Sequence, residues 1–296
     1  MTPSESTKAT KAEEQKPSLL PPIITASQRL AEHRGIKGCI LGKVGIGKTS
    51  LLKTLDPAIT LFFDLEAGDL AIGDWPVSTI RPKTWEQCRD FALLIGGANP
   101  IQQGTQQPYS DTRYKQLCKE YSSDFMAPYE TVFIDSITVA SRLCLQWCKQ
   151  QPEATAASGK NDPWKIFGLV GQEMMTWLIH LQHTRNKNIW FVGILEKKLD
   201  TFNRPYHQLQ CEGSKTGLEL PGIVDQVITL SYETIDVEEA DGKITQKSGR
   251  FFICQSPNPY DYPAKDRSGK LSLLEEPHLE RLMRKISPNN NPQKGS

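Results

Sequence analysis

The stretch LGKVGIGKTSLL, residues 41–52, decides the fold of this chain. Residues 42–49 match the pattern G-x-x-x-x-G-K-[ST], and a short apolar run, GCIL at 38–41, comes before them. The residues after the loop, TSLLKTL, are predicted to form a helix that ends at Asp56-Pro57. A glycine-rich turn between a buried strand and a helix lets backbone N–H groups curl around an anion. The stretch therefore predicts a phosphate-binding loop.

The pattern predicts that this loop holds a nucleoside triphosphate together with Mg²⁺. Lys48 is long enough to reach the β- and γ-phosphates, and the Thr49 hydroxyl can bind Mg²⁺. The residues predicted to contact the nucleotide are Gly42, Lys43, Val44, Gly45, Ile46, Gly47, Lys48, Thr49 and Ser50.

Two carboxylates at predicted strand ends complete the candidate site. TVFID ends in Asp135, which is predicted to be the second protein ligand of Mg²⁺; capping of the next helix is the alternative role. TLFFDLEAGD puts Glu66 just past the end of another strand, where a carboxylate could orient the attacking water. A solvated loop glutamate is the alternative for Glu66.

Apolar strands alternate with amphipathic helices along the chain, which predicts a mostly parallel α/β sheet with helices on both faces. Further strands are expected at 59–64, 131–135 and 188–195. From residue 224, two strands around Asp241-Gly242 predict a C-terminal antiparallel β-hairpin. The predicted helices include one capped by Thr84 and Gln87, and a long one after Asp162-Pro163. The long helix should bury a stripe formed by Phe167, Val170, Met174, Trp177 and Leu181.

One domain is predicted over residues 26–286, with an insertion of uncertain structure at 98–128. Polar tails at 1–25 and 287–296 are expected to be disordered. Apolar residues make up 38% of the chain, the net charge is +1, and no apolar run reaches the roughly 18 residues of a membrane helix. A local patch would have to attract any nucleic acid, no membrane partner is expected, and the expected location is the cytoplasm.

Two close pairs of side chains resemble metal ligands, but their spacing does not predict a metal site. Cys144 and Cys148 stand one helical turn apart with no second pair, so buried small hydrophobes are expected. His180 and His183 lack a third ligand at suitable spacing and are predicted to form a polar helix flank.

Together these motifs resemble the RecA-like branch of P-loop ATPases. The resemblance runs from about residue 37 to 286, through GKVGIGKTSL, LFFDLEAGDL, TVFIDSIT, NIWFVGILEKK, LELPGIVDQVITL and AKDRSGKL. Short phage proteins that consist of a RecA-like core alone are closer still, and some of them act as single-strand annealing recombinases. The resemblance implies ATP as the nucleotide, the cytoplasm of a bacterial host, single-stranded DNA as a partner and a single-strand DNA-binding protein as a further one.

PAKDRSGKL is similar to the Lys-x-Arg-x-Gly element of RecA-like hexameric helicases. The resemblance implies that Lys265 and Arg267 reach the γ-phosphate in a neighbouring subunit, within a ring or filament. A charged turn that ends at Gly269 is the alternative.

EKKLDTFNRPYHQLQCEGSKTG, residues 196–217, has no clear period, and in RecA-like recombinases the corresponding loop lines the DNA channel. The resemblance implies phosphate contacts from four cations and base stacking on two aromatic rings. These residues are Lys197, Lys198, Arg204 and Lys215 for the phosphates, and Phe202 and Tyr206 for the bases. A second loop at 154–162, with Lys160, would be its partner. A solvated basic surface is the alternative.

Other functions stay open. Relatives commonly carry a polar γ-phosphate sensor where this chain has Leu195, so slow turnover is expected and a nucleotide-gated interaction module with little hydrolysis is an alternative. Lys197-Lys198-Leu199-Asp200 weakly suggests a GTPase. A helicase-like motor and a small-molecule kinase are further candidates, although the 98–128 insertion offers a kinase lid one arginine, Arg113.

Overall fold

Ten strands form one sheet in the computed structural model, which describes residues 23–99, 102, 107–156, 159–238 and 244–287. The strands are β1 (Lys37–Gly42), β2 (Thr60–Asp64), β3 (Ser78–Ile80), β4 (Thr131–Asp135), β5 (Asn188–Leu199), β6 (Pro205–Leu209), β7 (Gln226–Glu238), β8 (Ile244–Ile253), β9 (Lys265–Asp266) and β10 (Leu274–Glu275). Their order is β10-β8-β7-β1-β5-β4-β2-β3, with β6 paired to β5 and β9 paired to β7.

The strands from β7 through β1, β5, β4 and β2 to β3 all run parallel. The C-terminal strands β8, β9 and β10 pair antiparallel, as does β6. Every residue of β1, β2 and β4 is buried, as expected for parallel strands covered on both faces. The predicted α/β class, with a parallel sheet and a C-terminal antiparallel extension, is confirmed.

The chain divides into two units, residues 1–33 and 34–296. The helices are α1 (Ala26–Ala31), α2 (Trp85–Gly96), α3 (Asp111–Tyr121), α4 (Ile137–Cys148), α5 (Pro163–His183), α6 (Ser214–Ile223) and α7 (Leu279–Ile286). In the first unit, α1 begins with a capping box in which Thr25 and Gln28 bond each other's backbone N–H. Among the described helices, none combines the length and apolarity needed to cross a membrane.

Alternating side chains of the strands build two cores, one on each face of the sheet. On one face, Ile40 and Phe133 pack with a 3₁₀ turn at Thr49–Thr54 and with α7. On the other face, Cys39 and Val132 pack with α2, α4 and α5. Cys144 and Cys148 lie buried in this second core with their Sγ atoms 3.9 Å apart, as predicted for small hydrophobes.

Several elements differ from the sequence prediction. The helix expected after the phosphate loop is the short 3₁₀ turn at Thr49–Thr54, and it ends at Leu55, just before Asp56-Pro57. The edge strand β3 was not predicted, because three half-exposed residues give no periodic signal. The region 98–128 contributes α3, and it buries Tyr109, Leu117 and Met126 in the core.

The predicted buried stripe of α5 is confirmed except at its first residue. Val170, Met174, Trp177 and Leu181 are buried, but Phe167 is 47% exposed and Ile166 takes the core position. Ile166 and Val170 are one turn apart and face the sheet, whereas Phe167 shares the opposite flank with Trp164. The predicted tails fall mostly on residues 1–22 and 288–296, and the predicted turn at Asp241-Gly242 falls on 239–243, all outside the described residues.

Candidate functional site

The loop after β1 has the backbone that a phosphate-binding loop requires. Gly45 has φ 75° and Gly47 has φ 91°, a region that glycine enters without strain. A Cβ on Gly42 would lie 2.7 Å from the carbonyl O of Leu230, so β7 passes directly beside the start of the loop. The 3₁₀ turn that follows is too short to have the dipole of the predicted helix. An anion at this loop would therefore be bound mainly by the backbone N–H groups of the loop and by Lys48.

Lys48 lies folded into the loop. The residue is 8% exposed, and its Nζ donates to the carbonyl O of Gly42 at 3.1 Å and of Lys43 at 2.8 Å. Burial lowers the pKa of Lys48, while the charges of Asp135 and Glu66 raise it. A partly desolvated ammonium bound only to neutral carbonyls is well placed to exchange them for phosphate oxygens.

Thr49 and Asp135 meet at the mouth of the sheet. The Thr49 hydroxyl donates to Asp135 Oδ2 at 2.5 Å, and Asp135 is 2% exposed. Burial raises the pKa of Asp135 to about 6; the hydrogen bond from Thr49 opposes the rise and the charge of Glu66 adds to it. A carboxylate that is costly to ionise here gains from a bound cation, so these two oxygens fit Mg²⁺.

The protein alone does not encase a metal. Within the described part of the chain, no three His, Cys, Asp or Glu side chains are grouped to hold one. Mg²⁺ often binds through one or two protein oxygens while phosphate oxygens and water supply the rest. The pair formed by Thr49 and Asp135 therefore fits a metal that arrives with the phosphates.

Glu66 lies beside this pair. Asp64 pairs with Asp135 across β2 and β4, and Glu66 follows two residues later. Its Oε1 accepts a hydrogen bond from the Ser136 hydroxyl, the residue after Asp135. Ser136 also caps α4, so capping, the alternative role considered for Asp135, belongs to its neighbour.

Residues 34–268 match the sequence model of a family of AAA domains. The chain is a member of this family. A glycine loop with a buried lysine, followed by a strand-end aspartate, makes it a P-loop ATPase domain. Curated protein sequences provide no significant match.

Two solved structures resemble this AAA domain at low identity. One is an ATPase from the type III secretion system of pathogenic bacteria, with 12% identity and a TM-score of 0.36, covering 67% of this chain and 51% of that one. The other is the P4 protein from bacteriophage phi13, with 10% identity and a TM-score of 0.25, covering 75% of this chain and 59% of that one. This chain thus spans little more than half the length of either protein.

Leu195 lies close to the loop but offers it no polar group. Ile194 pairs with Gly42, so the next residue of β5 stands level with the first residues of the loop. Leu195 is buried, and Glu196 beyond it binds Lys198 at 2.9 Å and Gln208 at 3.1 Å. The Leu195 side chain has no polar atom, and Glu196 is paired within the β5–β6 hairpin through its Oε1.

Lys265 and Arg267 lie behind the phosphate loop of their own chain, toward the start of β1. On β9, Lys265 pairs with Val227, the residue after Gln226, which pairs with Gly38 near the start of β1. Lys265 is therefore level with Cys39, three residues or about 10 Å along the strand before the loop, and Arg267 lies further back, beside Asp225. Both cations are set back from the site of their own chain.

Both cations are engaged within the AAA domain. Arg267 Nη1 binds Asp225 Oδ1 at 2.8 Å, and Arg34 binds the same oxygen at 2.8 Å. The Lys265 ammonium donates to the carbonyl O of Pro221. Arg267 is still about half exposed, so a neighbouring chain could reach it.

The stretch predicted as an irregular DNA loop is mostly regular. Strand β5 runs on to Leu199 and folds back through a turn into β6, and α6 follows. The turn is closed by Asp200, whose carboxylate accepts from the backbone N–H groups of Phe202 and Arg204. The residues named for DNA contact are spread over this hairpin and the start of α6: Lys197, Lys198, Phe202, Arg204, Tyr206 and Lys215.

The hairpin presents aromatic rings more freely than charge. Three of the four predicted phosphate contacts have carboxylate partners: Lys198 with Glu196 at 2.9 Å, Arg204 with Asp200 at 2.9 Å, and Lys215 with Glu219 at 3.8 Å. By contrast, Phe202 is 76% exposed, and Tyr206 lines a groove of about 1120 Å³ with Trp164 and Phe167. The predicted partner loop includes residues 157–158, outside the described residues; Lys160 is exposed.

His180 differs from the predicted polar flank. His183 is exposed, but the His180 ring is packed against Tyr109 with centroids 4.5 Å apart. Burial lowers the pKa of His180 to about 4. It is a partly buried residue packed against the 98–128 region.

Two arginines at the site were missed by sequence reasoning. Arg81 binds Asp64 at 3.2 Å and Asp69 at 2.7 Å, which braces the turn that carries Glu66. Arg250 of β8 reaches the phosphate loop at Ile46. Both contacts depend on the pairing of strands that are separated along the chain, so no local sequence motif predicts them.

Proposed function

We propose that this AAA domain binds ATP with Mg²⁺ and hydrolyses it slowly to ADP and phosphate. The observation that carries the proposal is the 2.5 Å contact between Thr49 Oγ1 and Asp135 Oδ2. It joins the end of the phosphate loop to the end of β4, with the Lys48 ammonium buried beside it. Such a hydroxyl and carboxylate are the protein oxygens that a phosphate-bound Mg²⁺ uses in P-loop enzymes.

Binding requires little rearrangement of these side chains. Lys48 would exchange the carbonyl oxygens of Gly42 and Lys43 for β- and γ-phosphate oxygens, while loop N–H groups donate to the same phosphates. Thr49 and Asp135 would hold Mg²⁺, which neutralises charge on the phosphate chain.

Glu66 is the proposed orienting base for water. Its carboxylate stands next to the Asp135 strand end and is steadied by the Ser136 hydroxyl. Water held by Glu66 would attack the γ-phosphorus, give its proton toward the carboxylate, and displace ADP as the β–γ bridging bond breaks.

Replacement of Glu66 separates binding from hydrolysis. Glu66→Gln should bind Mg-ATP as the parent does but lower the single-turnover hydrolysis rate about 100-fold or more, because the amide cannot accept the proton. Glu86→Gln, an exposed glutamate in the first turn of α2, is the matched control and should hydrolyse normally.

Equal, measurable rates in the parent and Glu66→Gln would remove Glu66 as the base, and a parent without measurable turnover would contradict hydrolysis. Absence of turnover would favour the second candidate, a nucleotide-gated interaction module, which Leu195 at the strand end supports because it cannot hydrogen-bond a γ-phosphate.

Adenine is favoured over guanine as the base. The Asp200 carboxylate, the residue that a GTPase reading would need, already accepts from Phe202 N at 2.7 Å, Arg204 N at 2.9 Å and Arg204 Nε at 2.9 Å. An aspartate committed to closing its own turn is poorly available to read a guanine.

The same proposal includes assembly of the chain into a ring or filament. Lys265 and Arg267 are set back from the loop of their own chain, and Arg267 is accessible. In an assembly they would stabilise γ-phosphate charge in the site of the next subunit.

Single-stranded DNA is the proposed partner, in phage-type recombination, annealing or repair. Support comes from the exposed aromatic rings of the β5–β6 hairpin and the groove beside it, since rings of this kind stack on unpaired bases. The ion pairs on the hairpin leave base stacking as the larger part of the interaction. A single-strand DNA-binding protein is a further proposed partner.

A further inference from the structure

A guanidinium from the C-terminal hairpin lies against the phosphate loop. Arg250 Nη1 donates to the carbonyl O of Ile46 at 3.4 Å. A Cβ built on Gly47 would lie 1.9 Å from the same Nη1, so the arginine packs on the bare backbone there. Arg250 is exposed, and one long hydrogen bond leaves other N–H donors of its guanidinium for a ligand.

The sheet order puts Arg250 and the carboxylates on opposite flanks of the loop. From β1, the sheet continues through β5 and β4 to β2 on one side, where Asp135 and Glu66 lie. On the other side come β7 and then β8, which carries Arg250. The proposed function puts Mg²⁺ and the terminal phosphates on the Asp135 side, which leaves the Arg250 side for the α-phosphate and the base.

An aromatic ring stands next to this arginine. Tyr232 on β7 pairs directly with Arg250 on β8, so the two side chains share one face of the hairpin. Tyr232 is 63% exposed. An exposed ring beside a cation at the phosphate loop offers a surface on which a purine can stack.

We propose that Arg250 and Tyr232 form the base-side wall of the nucleotide site. Arg250 donates to α- or β-phosphate oxygens, and Tyr232 packs against the base. The inference rests on the proposed function and adds to it a binding element from the hairpin. Because neither contact involves the γ-phosphate, both act on ADP and ATP alike.

Calorimetric titration of the full chain with ADP, ATP and inorganic tripolyphosphate, each with Mg²⁺, tests the proposal. Arg250→Ala should weaken all three ligands by similar factors of about 10 to 100, the range for a lost charge-assisted hydrogen bond. Tyr232→Ala should weaken ADP and ATP and leave tripolyphosphate unchanged. Lys247→Ala, an exposed cation on the same strand, is the matched control and should bind all three like the parent.

Different outcomes would contradict the roles of Arg250 and Tyr232 and the proposed binding of ATP. Unchanged ADP affinity in Arg250→Ala would overturn the role of the arginine, and so would a loss confined to ATP, which would put the guanidinium at the γ-phosphate. Unchanged ADP affinity in Tyr232→Ala would remove the stacking contact. A parent that binds none of the three ligands would overturn the proposed function and this inference with it. Thermal melts equal to the parent's would show that the variants fold.

Discussion

Asp135 carries a charge that the folded protein holds at a cost. Burial raises its pKa from 3.8 to about 6, so the folded state binds a proton more tightly than the unfolded chain does. Below pH 3.8 both states are protonated and Asp135 contributes nothing. Between pH 3.8 and about 6 the unfolded chain loses this proton while the folded state keeps it, so stability falls by about 3 kcal/mol in all, at about 1.4 kcal/mol for each unit of pKa, and stays at that lower level once the buried carboxylate ionises.

Removal of this charge should stabilise the protein. In urea unfolding at pH 8 without Mg²⁺, Asp135→Asn should be more stable than the parent by about 1–3 kcal/mol, and the difference should vanish near pH 4. Added Mg-ATP should narrow the gap at pH 8, because it binds the parent more tightly. A variant less stable than the parent at pH 8 would show that the Asp135 charge is not a net cost.

At the residue scale, the sequence predicts the site where local pattern and chemistry coincide. Lys48, Thr49 and Asp135 follow from a glycine loop and a strand end, and the structure brings them together. Arg250 could not be predicted, because its contact with Ile46 spans 204 residues of chain and depends on the pairing of β8 with β7. The catalytic and binding roles of Lys48, Thr49 and Asp135 remain predictions.

At the element scale, the sequence pattern did not predict the β5–β6 hairpin. β5 was expected to end near Leu195, because the apolar run ends there, yet the strand continues to Leu199 as a two-stranded arm. Polar and apolar residues mix on such an arm, and Pro205 at the start of β6 reads as a turn. Strand β3 was missed for a similar reason: parallel pairing to β2 stabilises it more than its own three residues do.

The hairpin should bind single-stranded DNA chiefly through its aromatic rings. Phe202→Ala should weaken binding of a fluorescent single strand by about 1–3 kcal/mol, as expected for one lost stacking contact. Lys197→Ala should weaken it less and flatten its salt dependence slightly. Ile244→Ala, an exposed apolar residue on β8, should leave affinity unchanged. Equal binding by Phe202→Ala and the parent would remove the hairpin as the DNA surface.

At the scale of the whole molecule, the sheet predicted from strand–helix alternation is present, but its order was not predictable from the chain alone. The register of β9 on β7 sets Lys265 and Arg267 back from the phosphate loop of their own chain, toward the start of β1. The proposed role of these cations is therefore in the site of a neighbouring chain.

Mixing two inactive variants tests this directly. Arg267→Ala keeps its own loop and lacks the proposed trans cation, whereas Lys48→Ala lacks the loop lysine and keeps the cation. Each alone should hydrolyse ATP poorly, and a mixture should regain activity that rises with protein concentration. Arg34→Ala, which removes the other guanidinium on Asp225, is the matched control and should need no partner. Failure of every mixture to recover activity would contradict a shared site.

The loop at 42–50 is proposed to bind a nucleoside triphosphate, with Lys48 contacting its phosphates. Calorimetry of the full chain with Mg-ATP tests it most directly, with Lys53→Ala as a control for charge on the adjacent exposed lysine. The parent and Lys53→Ala should give the same saturable binding heat, and Lys48→Ala should give none. Absence of heat from the parent, or an unchanged isotherm from Lys48→Ala, would contradict the claim.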